Sequence, residues 1–415
     1  MKKYENYKDS GLEWLGIVPE HWEILPFKRG VSINNGRDYK HVQSEDGYPV
    51  IGSGGQFAFA SDYLYDGEVI LLGRKGTIDK PRYFNGKFWT VDTMFYAIPN
   101  QKCIAKYMYY QALTIPFSLY STDTALPSMT QTDLGNHLMC FPPTFEQRTI
   151  ASYLDQKVGQ IDALISEKEK MVEDLKAYRS SLITETVTKG LDREVEMKDS
   201  GVEWIGRIPT TWQSSKIGWI YSDLGSGTTP DSNNNLYYKD EGYNWLQTGD
   251  LTDGYITETS KHISQLAIDE KRMRFYPVDS IVVAMYGATI GKVGYLKIET
   301  STNQACCVLP PSENMDAMYL FYTMHASKEF LISNSIGGGQ PNISQSIIRE
   351  HIIPVPPLKI QKEIASFLQN KIGKIVSTLS ELEHQLSDLK SYKSSLITEA
   401  VTGKIDIRDW QTKKS

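Results

Sequence analysis

The sequence lacks the features of a membrane-spanning, secreted or metal-centred protein. It contains no run of about 18 or more apolar residues, which argues against a membrane span. The first residues include lysines but no apolar core, so we expect no secretory signal and a cytoplasmic protein. The four cysteines form no C-x-x-C pair and have no histidine at ligand spacing. We therefore interpret them as buried thiols and expect neither a metal site nor disulfides.

Catalytic motifs are also missing. GATIGKV at 287–293 comes near to a phosphate-binding loop, but it has too few residues between its glycines, and Val293 stands where Ser or Thr is needed. The sequence has no methyltransferase Asn-Pro-Pro-aromatic signature, no dinucleotide-binding glycine fingerprint and no G-x-S-x-G elbow. The sequence thus predicts a non-catalytic chain with no cofactor of its own.

The charge balance alone disfavours nucleic acid as a partner, because phosphate contacts need Lys and Arg. The chain has 44 basic and 50 acidic residues, a net charge of -6. The balance is uneven, however. Between 74 and 87 there are five basic residues and one acid, and between 261 and 297 there are six basic residues and three acids. Such basic faces are compatible with DNA binding.

Two internal repeats dominate the sequence. The segment KDSGLEWLGIVPEHW (8–22) returns as KDSGVEWIGRIPTTW (198–212), with 9 of 15 positions identical. A longer segment, 150–188, returns as 364–402, with 22 of 39 positions identical. The chain is therefore a duplication in which each copy has a short segment, a variable block and a long segment.

The long segments are predicted to be helices that pair. In the second copy, apolar residues recur at alternating spacings of four and three, which is typical of a coiled coil. Two such stripes in one chain most simply pack on each other as a rod of about 60 Å, at about 1.5 Å per residue. Dimerisation between chains is the alternative. The stripes are Leu154, Val158, Ile161, Ile165, Val172 and Leu175, with Lys168 interrupting, and Leu368, Ile372, Ile375, Leu379, Leu382, Leu386 and Leu389.

The helix ends carry their own signals. Pro142-Pro143 and Pro356-Pro357 stop the preceding elements, and Thr144 with Gln147 predicts a capping box. The variable blocks are rich in Gly, Tyr, Thr, Ile and Val, with short β-type runs between turn residues. They predict mainly β or α+β domains, each with a helix before its last loop, at 105–113 and 317–334.

This alternation resembles the specificity subunit of type I restriction-modification systems. The resemblance covers almost the whole chain. It is carried by the KDSG-x-EW-x-G-x-x-P-x-x-W segments, the PP-x-x-x-Q-x-x-IASxL helix starts and the SSLITE helix ends. Inside the blocks it is carried by LLGRKGTI and WTVDTMFY, then by GSGTTP, GATIGKVG, STNQACCVLPP and GGGQPNIS. The first block departs from the pattern, with SGGQ at 53–56 in place of a GGTP-like start.

The resemblance implies a bipartite DNA target, with each recognition domain binding one half-site and the helix pair fixing the unread spacer. Two modification (methyltransferase) subunits would dock on the helices, and restriction subunits would join them. S-adenosylmethionine, ATP and Mg would belong to those partners. A coiled-coil scaffold with two β-rich ligand- or peptide-binding domains is the alternative function. The four repeated tryptophans, Trp14, Trp22, Trp204 and Trp212, are interpreted as anchors of the helices or of the docking face.

Candidate base-contacting residues are polar, loop-borne and of the types that recognise base edges. Arg and Lys suit guanine, Asn and Gln suit adenine, and Ser and Thr are more permissive. Glycines beside them allow the backbone to approach phosphate. The candidates are Ser53, Gln56, Arg74, Lys75 and Thr77 in the first block, and Thr228, Thr289, Lys292, Gln304, Gln340, Asn342 and Ser344 in the second.

The expected architecture is α+β, with two recognition domains separated by two long antiparallel helices in a pseudo-twofold repeat. The predicted segments are an N-terminal repeat (1–22) near the C-terminal helix, recognition domain 1 (23–143), the first spacer helix (144–190), a repeated linker (191–212), recognition domain 2 (213–357), the second spacer helix (358–403) and a tail (404–415).

Overall fold

A computed structural model describes residues 2–120, 127–335 and 342–410. The chain divides into two compact units. Unit 1 comprises Met1–Glu169 and Glu383–Ser415, and unit 2 comprises Lys170–Leu382.

Unit 1 is built mainly from short strands. One of its inner strands carries the apolar run 69–72, which is buried on both faces, as expected for an inner strand of a covered sheet. Its elements are β1 (Tyr7–Asp9), β2 (Ile17–Pro19), β3 (Glu23–Pro26), β4 (Val31–Asn35), β5 (Gln43–Ser44), β6 (Tyr48–Gly52), β7 (Gly55–Ala60), β8 (Tyr65–Gly73), β9 (Arg82–Thr90), β10 (Met94–Pro99), α1 (Ala105–Ala112), α2 (Gln131–Asn136), β11 (Leu138–Phe141) and the long helix α3 (Thr144–Lys189), which continues into unit 2.

Seven strands of unit 1 form one sheet in the order β4-β10-β8-β9-β6-β7-β5. Only the β6–β9 pairing within it is parallel. Strand β9 pairs antiparallel with β8 along Arg82–Phe88 and parallel with β6 at its last two residues, where Trp89 faces Val50 and Thr90 faces Ile51. One strand therefore links the two parts of the sheet.

Unit 2 is likewise α+β. Its helix α6 begins where the Asp316 carboxylate accepts hydrogen bonds from the main-chain nitrogens of Met318 and Tyr319. The elements are β12 (Met197–Asp199), β13 (Arg207–Pro209), β14 (Gln213–Lys216), α4 (Ile217–Ile220), β15 (Gly225–Ser226), β16 (Tyr238–Lys239), β17 (Tyr243–Leu246), β18 (Gly254–Ile256), β19 (His262–Ile263), α5 (Gln265–Lys271), β20 (Phe275–Tyr276), β21 (Ile281–Ala284), β22 (Val293–Leu296), β23 (Thr300–Thr302), β24 (Cys306–Leu309), α6 (Ala317–Ala326), α7 (Lys328–Ser333), α8 (Gln345–Glu350), β25 (Ile352–Val355) and the long helix α9 (Leu358–Val401), which continues into unit 1.

Two five-stranded sheets form the body of unit 2, in the orders β15-β24-β21-β22-β18 and β16-β19-β17-β23-β20. At one edge of the first sheet, Ala284 faces Cys306 and Ser226 faces Cys307. The end of β15, the end of β21 and the start of β24 therefore meet there. The segments that follow or precede them carry most of the candidate residues of this unit.

The two long helices pair antiparallel within the chain, as the repeat predicts. In unit 1, Leu154 of α3 shares one hydrophobic core with Leu396 of α9. In unit 2, Val187 of α3 shares a core with Leu368 of α9. Each half of α3 thus packs against the opposite half of α9, and the interchain alternative is not needed to bury the stripes. Lys168, which interrupts the first stripe, donates to Gln385 Oε1 at 2.6 Å.

The predicted capping box at the start of α3 was wrong. The Thr144 hydroxyl donates to the carbonyl oxygen of Lys102, and the Gln147 amide bonds the main chain of Ile104 and Pro142. Gln361 does the same in unit 2, accepting from the Asp316 nitrogen and donating to the Pro356 oxygen. These side chains therefore link each helix start to the neighbouring loop. They give hydrogen-bond partners to main-chain groups of that loop, which a cap within the helix would not reach.

None of the helices among the described residues is long and apolar enough to cross a membrane.

Candidate nucleic-acid interface

The main chain of the turn that follows β8 in unit 1 is held by hydrogen bonds. The nitrogens of Arg74 and Lys75 both donate to the Thr93 oxygen, at 2.9 and 3.2 Å, and the Arg74 oxygen accepts from Met129. A Cβ on Gly73 would lie 2.2 Å from the Thr77 oxygen, so only glycine fits at the start of the turn. The Lys75 side chain is exposed, and Arg74 and Thr77 are half-buried. The main chain of the turn is therefore held in place, with the Lys75 side chain exposed and the Arg74 guanidinium lying over the Phe95 ring.

The second candidate segment of unit 1 lies beside the first. Ser53 belongs to the tight turn between β6 and β7, and Gln56 is exposed on β7. Just before this turn, a Cβ on Gly52 would lie 3.9 Å from the Val91 side chain. In the turn after β8, the Arg74 guanidinium donates to the main-chain oxygen of Asp92 at 3.4 Å. The two segments therefore flank the same stretch, 91–93.

Two basic residues at this edge were not among the sequence candidates. Exposed Arg37 donates its main-chain nitrogen to the Thr90 oxygen, immediately before 91–93. The Arg82 guanidinium lies 3.6 Å from where a Cβ on Gly55 would be. The basic cluster at 74–87 contains Arg82, and this signal could have identified it. Sequence offers no comparable signal for Arg37, which only the strand pairing brings to the edge.

In unit 2, the segment 225–230 packs closely against β23. A Cβ on Gly227 would lie 1.8 Å from the Thr302 oxygen, so glycine is required at that position. The neighbouring Thr228 is exposed, and its oxygen accepts from Trp245 Nε1 at 3.1 Å. Exposed Gln304 stands in the turn just after β23. The structure thus brings Thr228 and Gln304 to one edge of the sheet.

The remaining candidates of unit 2 lie near the same edge. Thr289 and Lys292 are half-buried in the loop between β21 and β22. The Ile343 nitrogen donates to Met285 at the start of that loop, which brings exposed Asn342 beside it. The loop joins two strands and does not lead into a helix, so it lacks the structural context of a phosphate-binding loop. Gln340 lies outside the described residues.

Ser344 has a structural role. Its hydroxyl oxygen accepts from the Ile347 nitrogen at 3.3 Å and caps the start of α8. On the same helix, Gln345 Nε2 donates to Ser226 Oγ at 2.7 Å, which fastens α8 to β15. The Ser344 hydroxyl therefore caps α8, and Gln345 holds that helix at this edge.

A polar cleft of about 710 Å³ in unit 2 was missed by the sequence reasoning. The cleft adjoins the edge that carries Thr228. Trp245 lines the cleft, and its Nε1 donates a hydrogen bond to the main-chain oxygen of Thr228. Lys239 and Lys261 give it two cations, and Gln247 and Asn235 offer amide groups. Lys261 belongs to the basic segment 261–297, but Asn235, Lys239 and Gln247 lie outside it. Cations with amides are the side chains that contact phosphates and adenine edges.

The repeated tryptophans contact residues of both the long helices and the recognition domains. Trp22 is fully buried and donates to Glu146 at the start of α3, at 3.0 Å. Trp14 stacks on His137 in unit 1, and Trp204 stacks on His351 in unit 2, with ring centroids 5.2 and 5.5 Å apart. Burial lowers the pKa of both histidines to about 4, so both rings are neutral at pH 7.

The described residues include no group of three or more His, Cys, Asp or Glu side chains that could hold a metal ion. Cys140, Cys306 and Cys307 are buried free thiols, and Cys103 is half-buried. Burial raises the pKa of each thiol, so these cysteines are poor nucleophiles.

Two α+β units on one repeated helical frame, each presenting basic and amide side chains at a sheet edge, form the arrangement expected of a DNA sequence-recognition protein. The family described as "Type I restriction modification DNA specificity domain" matches residues 21–174 and 209–387, and the chain belongs to this family.

Similar proteins span the full length. The chain is 24% identical to the "Putative type I restriction enzyme MjaX specificity subunit" of Methanocaldococcus jannaschii, with 98% of both chains covered. It is 20% identical to the "Type I restriction enzyme EcoBI specificity subunit" of Escherichia coli, covering 96% of this chain and 89% of that one. A solved chain described under "Structural basis underlying complex assembly and conformational transition of the type I R-M system" matches with a TM-score of 0.70 at 15% identity, covering 94% of this chain and 99% of that chain. The resemblance and the α+β fold are confirmed.

Proposed function

We propose that this chain, a type I restriction-modification DNA specificity subunit by family, binds a bipartite DNA target with one half-site in each unit. The observation that carries this proposal is the gathering of polar loops at one sheet edge of each unit. In unit 1 the edge carries Arg74, Lys75 and Gln56, and in unit 2 it carries Thr228 and Gln304. The loops differ between units while the frame repeats, which fits two different half-sites presented in the same way.

The long helices would set the unread spacer. Both α3 and α9 continue from one unit into the other. Their stripes bury leucine, isoleucine and valine within each unit, and we propose that this coiled-coil packing makes the pair stiff. A stiff connection between two DNA-binding units fixes the number of base pairs between their half-sites.

Catalysis would belong to partner chains. We propose that this chain is non-catalytic, that two modification subunits dock on the repeated frame, and that restriction subunits join them. S-adenosylmethionine, ATP and Mg would be bound by those partners, in the cytoplasm. The repeated Trp14 and Trp204 stacks give two similar surfaces, which suits two copies of one partner. The scaffold alternative receives no support from the relatives.

Sequencing the methylated sites of a host that expresses this chain with its modification subunits tests the proposal. The expected result is one motif made of two short specified halves and an unspecified gap of constant length. A continuous motif without a gap would overturn the bipartite proposal. If no methylation appeared, DNA binding by the complex at 50 and 200 mM salt would separate the alternatives. A steep fall in affinity supports DNA binding, and no affinity at either salt concentration supports the scaffold.

A further inference from the structure

The segment after α9 fills a groove in unit 1. The Trp410 ring packs edge-on against Tyr153 of α3, with ring centroids 5.6 Å apart. Ile405 and Ile407 are buried in the same core, and the Asp409 carboxylate pairs with Lys2 at 2.5 Å. A segment with two buried isoleucines, an Asp406–Arg408 ion pair, Asp409 and an aromatic residue therefore covers this face of the helix pair.

In unit 2 the chain that follows α3, through Leu191 and Arg193, lines the equivalent groove without filling it. Phe367 stands at the position of Tyr153, because the two lie in the aligned sequences IASFL and IASYL. After α3 the chain passes through exposed Leu191 and on into β12. What remains is a cavity of about 370 Å³ between Phe367, Leu182 and Leu191. Leu182 is only half-buried, whereas Leu396, its repeat partner, is 1% exposed.

Three cations that have no carboxylate partner among the described residues line or overlie this groove. Lys371 lies over the Phe367 ring, with its Nζ 6.0 Å from the centroid. Lys362 lines a neighbouring shallow groove that also includes Phe367, and Arg193 lines the cavity itself. Within the described part of the chain, these three cations have no carboxylate partner. The acids that line the cavity and the neighbouring groove have other partners: Glu185 and Glu363 pair with lysines, and Asp192 accepts from the main-chain nitrogen of Glu194.

We propose that the groove over Phe367, lined by Leu182, Leu191 and Arg193, binds an acidic peptide segment of another protein, anchored by one aromatic side chain. Two observations lead to this occupant. The repeat shows what the same groove accepts in unit 1, where Trp410 and its aliphatic neighbours occupy it. The unpaired Lys362, Lys371 and Arg193 complement carboxylates beside the aromatic anchor. Aromatic anchors in desolvated pockets carry much of the binding energy of interfaces.

The test uses the full chain and two synthetic, acetylated peptides that contain 5-fluorotryptophan. One has the sequence IDIRDW of residues 405–410, and the other is the more acidic IDIDDW. Each peptide is titrated with the full chain up to about 1 mM, and binding is followed by ¹⁹F NMR. This range is chosen because a free peptide binds more weakly than a segment that is covalently linked beside its groove. We expect both peptides to bind, with IDIDDW several-fold tighter and more sensitive to salt.

Matched variants locate the site. Phe367→Ala should weaken binding at least tenfold, while Tyr153→Ala, the equivalent change in unit 1, should leave the high-affinity signal intact. The double variant Arg193→Glu, Lys362→Glu changes only exposed charges. It should weaken the binding of IDIDDW more than that of IDIRDW. The test therefore does not depend on the folding of the Phe367 variant. No ¹⁹F change with the wild-type chain, or equal losses in Phe367→Ala and Tyr153→Ala, would overturn the proposal.

Discussion

The Tyr319 hydroxyl of α6 lies 3.0 Å from the main-chain oxygen of Val187, near the end of α3, and donates a hydrogen bond to it. The same hydroxyl lies 3.1 Å from the Pro354 oxygen of β25. Tyr107 of α1 repeats the arrangement in unit 1, with the oxygens of Val401 and Cys140. The last carbonyls of a helix have no partner within the helix. A tyrosine from each recognition domain satisfies one of them and links domain to frame.

Tyr319→Phe should destabilise unit 2. The change leaves two buried carbonyl oxygens without this donor, which costs about 1–2 kcal/mol. Urea unfolding of the full chain should show a lower midpoint for the transition of this unit. Tyr392→Phe, on an exposed part of α9, is the control and should leave the midpoint unchanged. Equal midpoints for Tyr319→Phe and the wild type would show that the link carries no stability.

His351 should make stability depend on pH. Burial lowers its pKa from 6.5 to about 4, and its Nε2 is buried without a hydrogen-bond partner among the described residues. Because the unfolded state binds the proton more readily, stability from this group is present above pH 6.5 and is lost as the pH falls towards 4. His351→Phe should therefore lose less stability than the wild type between pH 7 and pH 5.

The control for that prediction is His384→Phe, since His384 is exposed on α9 beside Asp388. It should follow the wild-type pH dependence. Part of the dependence will persist in His351→Phe, because burial also lowers the pKa of His325 to about 4. Identical pH profiles for His351→Phe and the wild type would contradict the assigned cause.

Arg74→Ala should relax one half-site only. If its guanidinium contacts guanine, the loss of discrimination is about 1–3 kcal/mol at one base pair. Sequencing of methylated sites would show degeneracy at one position of one half. Lys157→Ala, an exposed change on α3, is the matched control and should leave the motif intact. Weaker methylation of all sites, without degeneracy, would instead indicate a phosphate contact.

The cleft lysines of unit 2 should contribute to affinity without sequence preference. Removing Lys239 or Lys261 should weaken DNA binding about equally for all sequences and lower the salt slope by about one for each lysine that contacts phosphate. Binding of the complex measured across salt concentrations gives this slope. Lys374→Ala, exposed on α9, should leave it unchanged. An unchanged salt slope in both cleft variants would show that the DNA phosphates do not contact these lysines.

The repeated frame could be predicted from the sequence because its signals are local and doubled. The spacing of Leu368, Leu379 and Leu382 predicts a helix seam, and the identity of the two copies predicts that the helices have equal roles. Leu379 and Leu382 are buried as expected. The helix start was misjudged, because the bonds of Gln147 reach to residues that are distant in sequence.

The edges of the recognition domains were harder to predict. Arg37 and Lys239 reach them only through strand pairings that join distant residues, and no short pattern encodes such pairings. Ser344 has the right residue type for base contact, yet its hydroxyl caps a helix. Residue type and loop position therefore indicate candidates, while the tertiary structure decides which side chains are free to contact DNA.

The most direct test of the central claim is a paired insertion into the two long helices. Seven residues inserted after Lys170 of α3, with seven after His384 of α9, keep the apolar stripes in register and add about 10 Å. Since DNA rises about 3.4 Å per base pair along each strand, the methylated motif should keep both halves and gain about three base pairs of gap. An unchanged gap with methylation retained would contradict the claim that the helix pair sets the spacing.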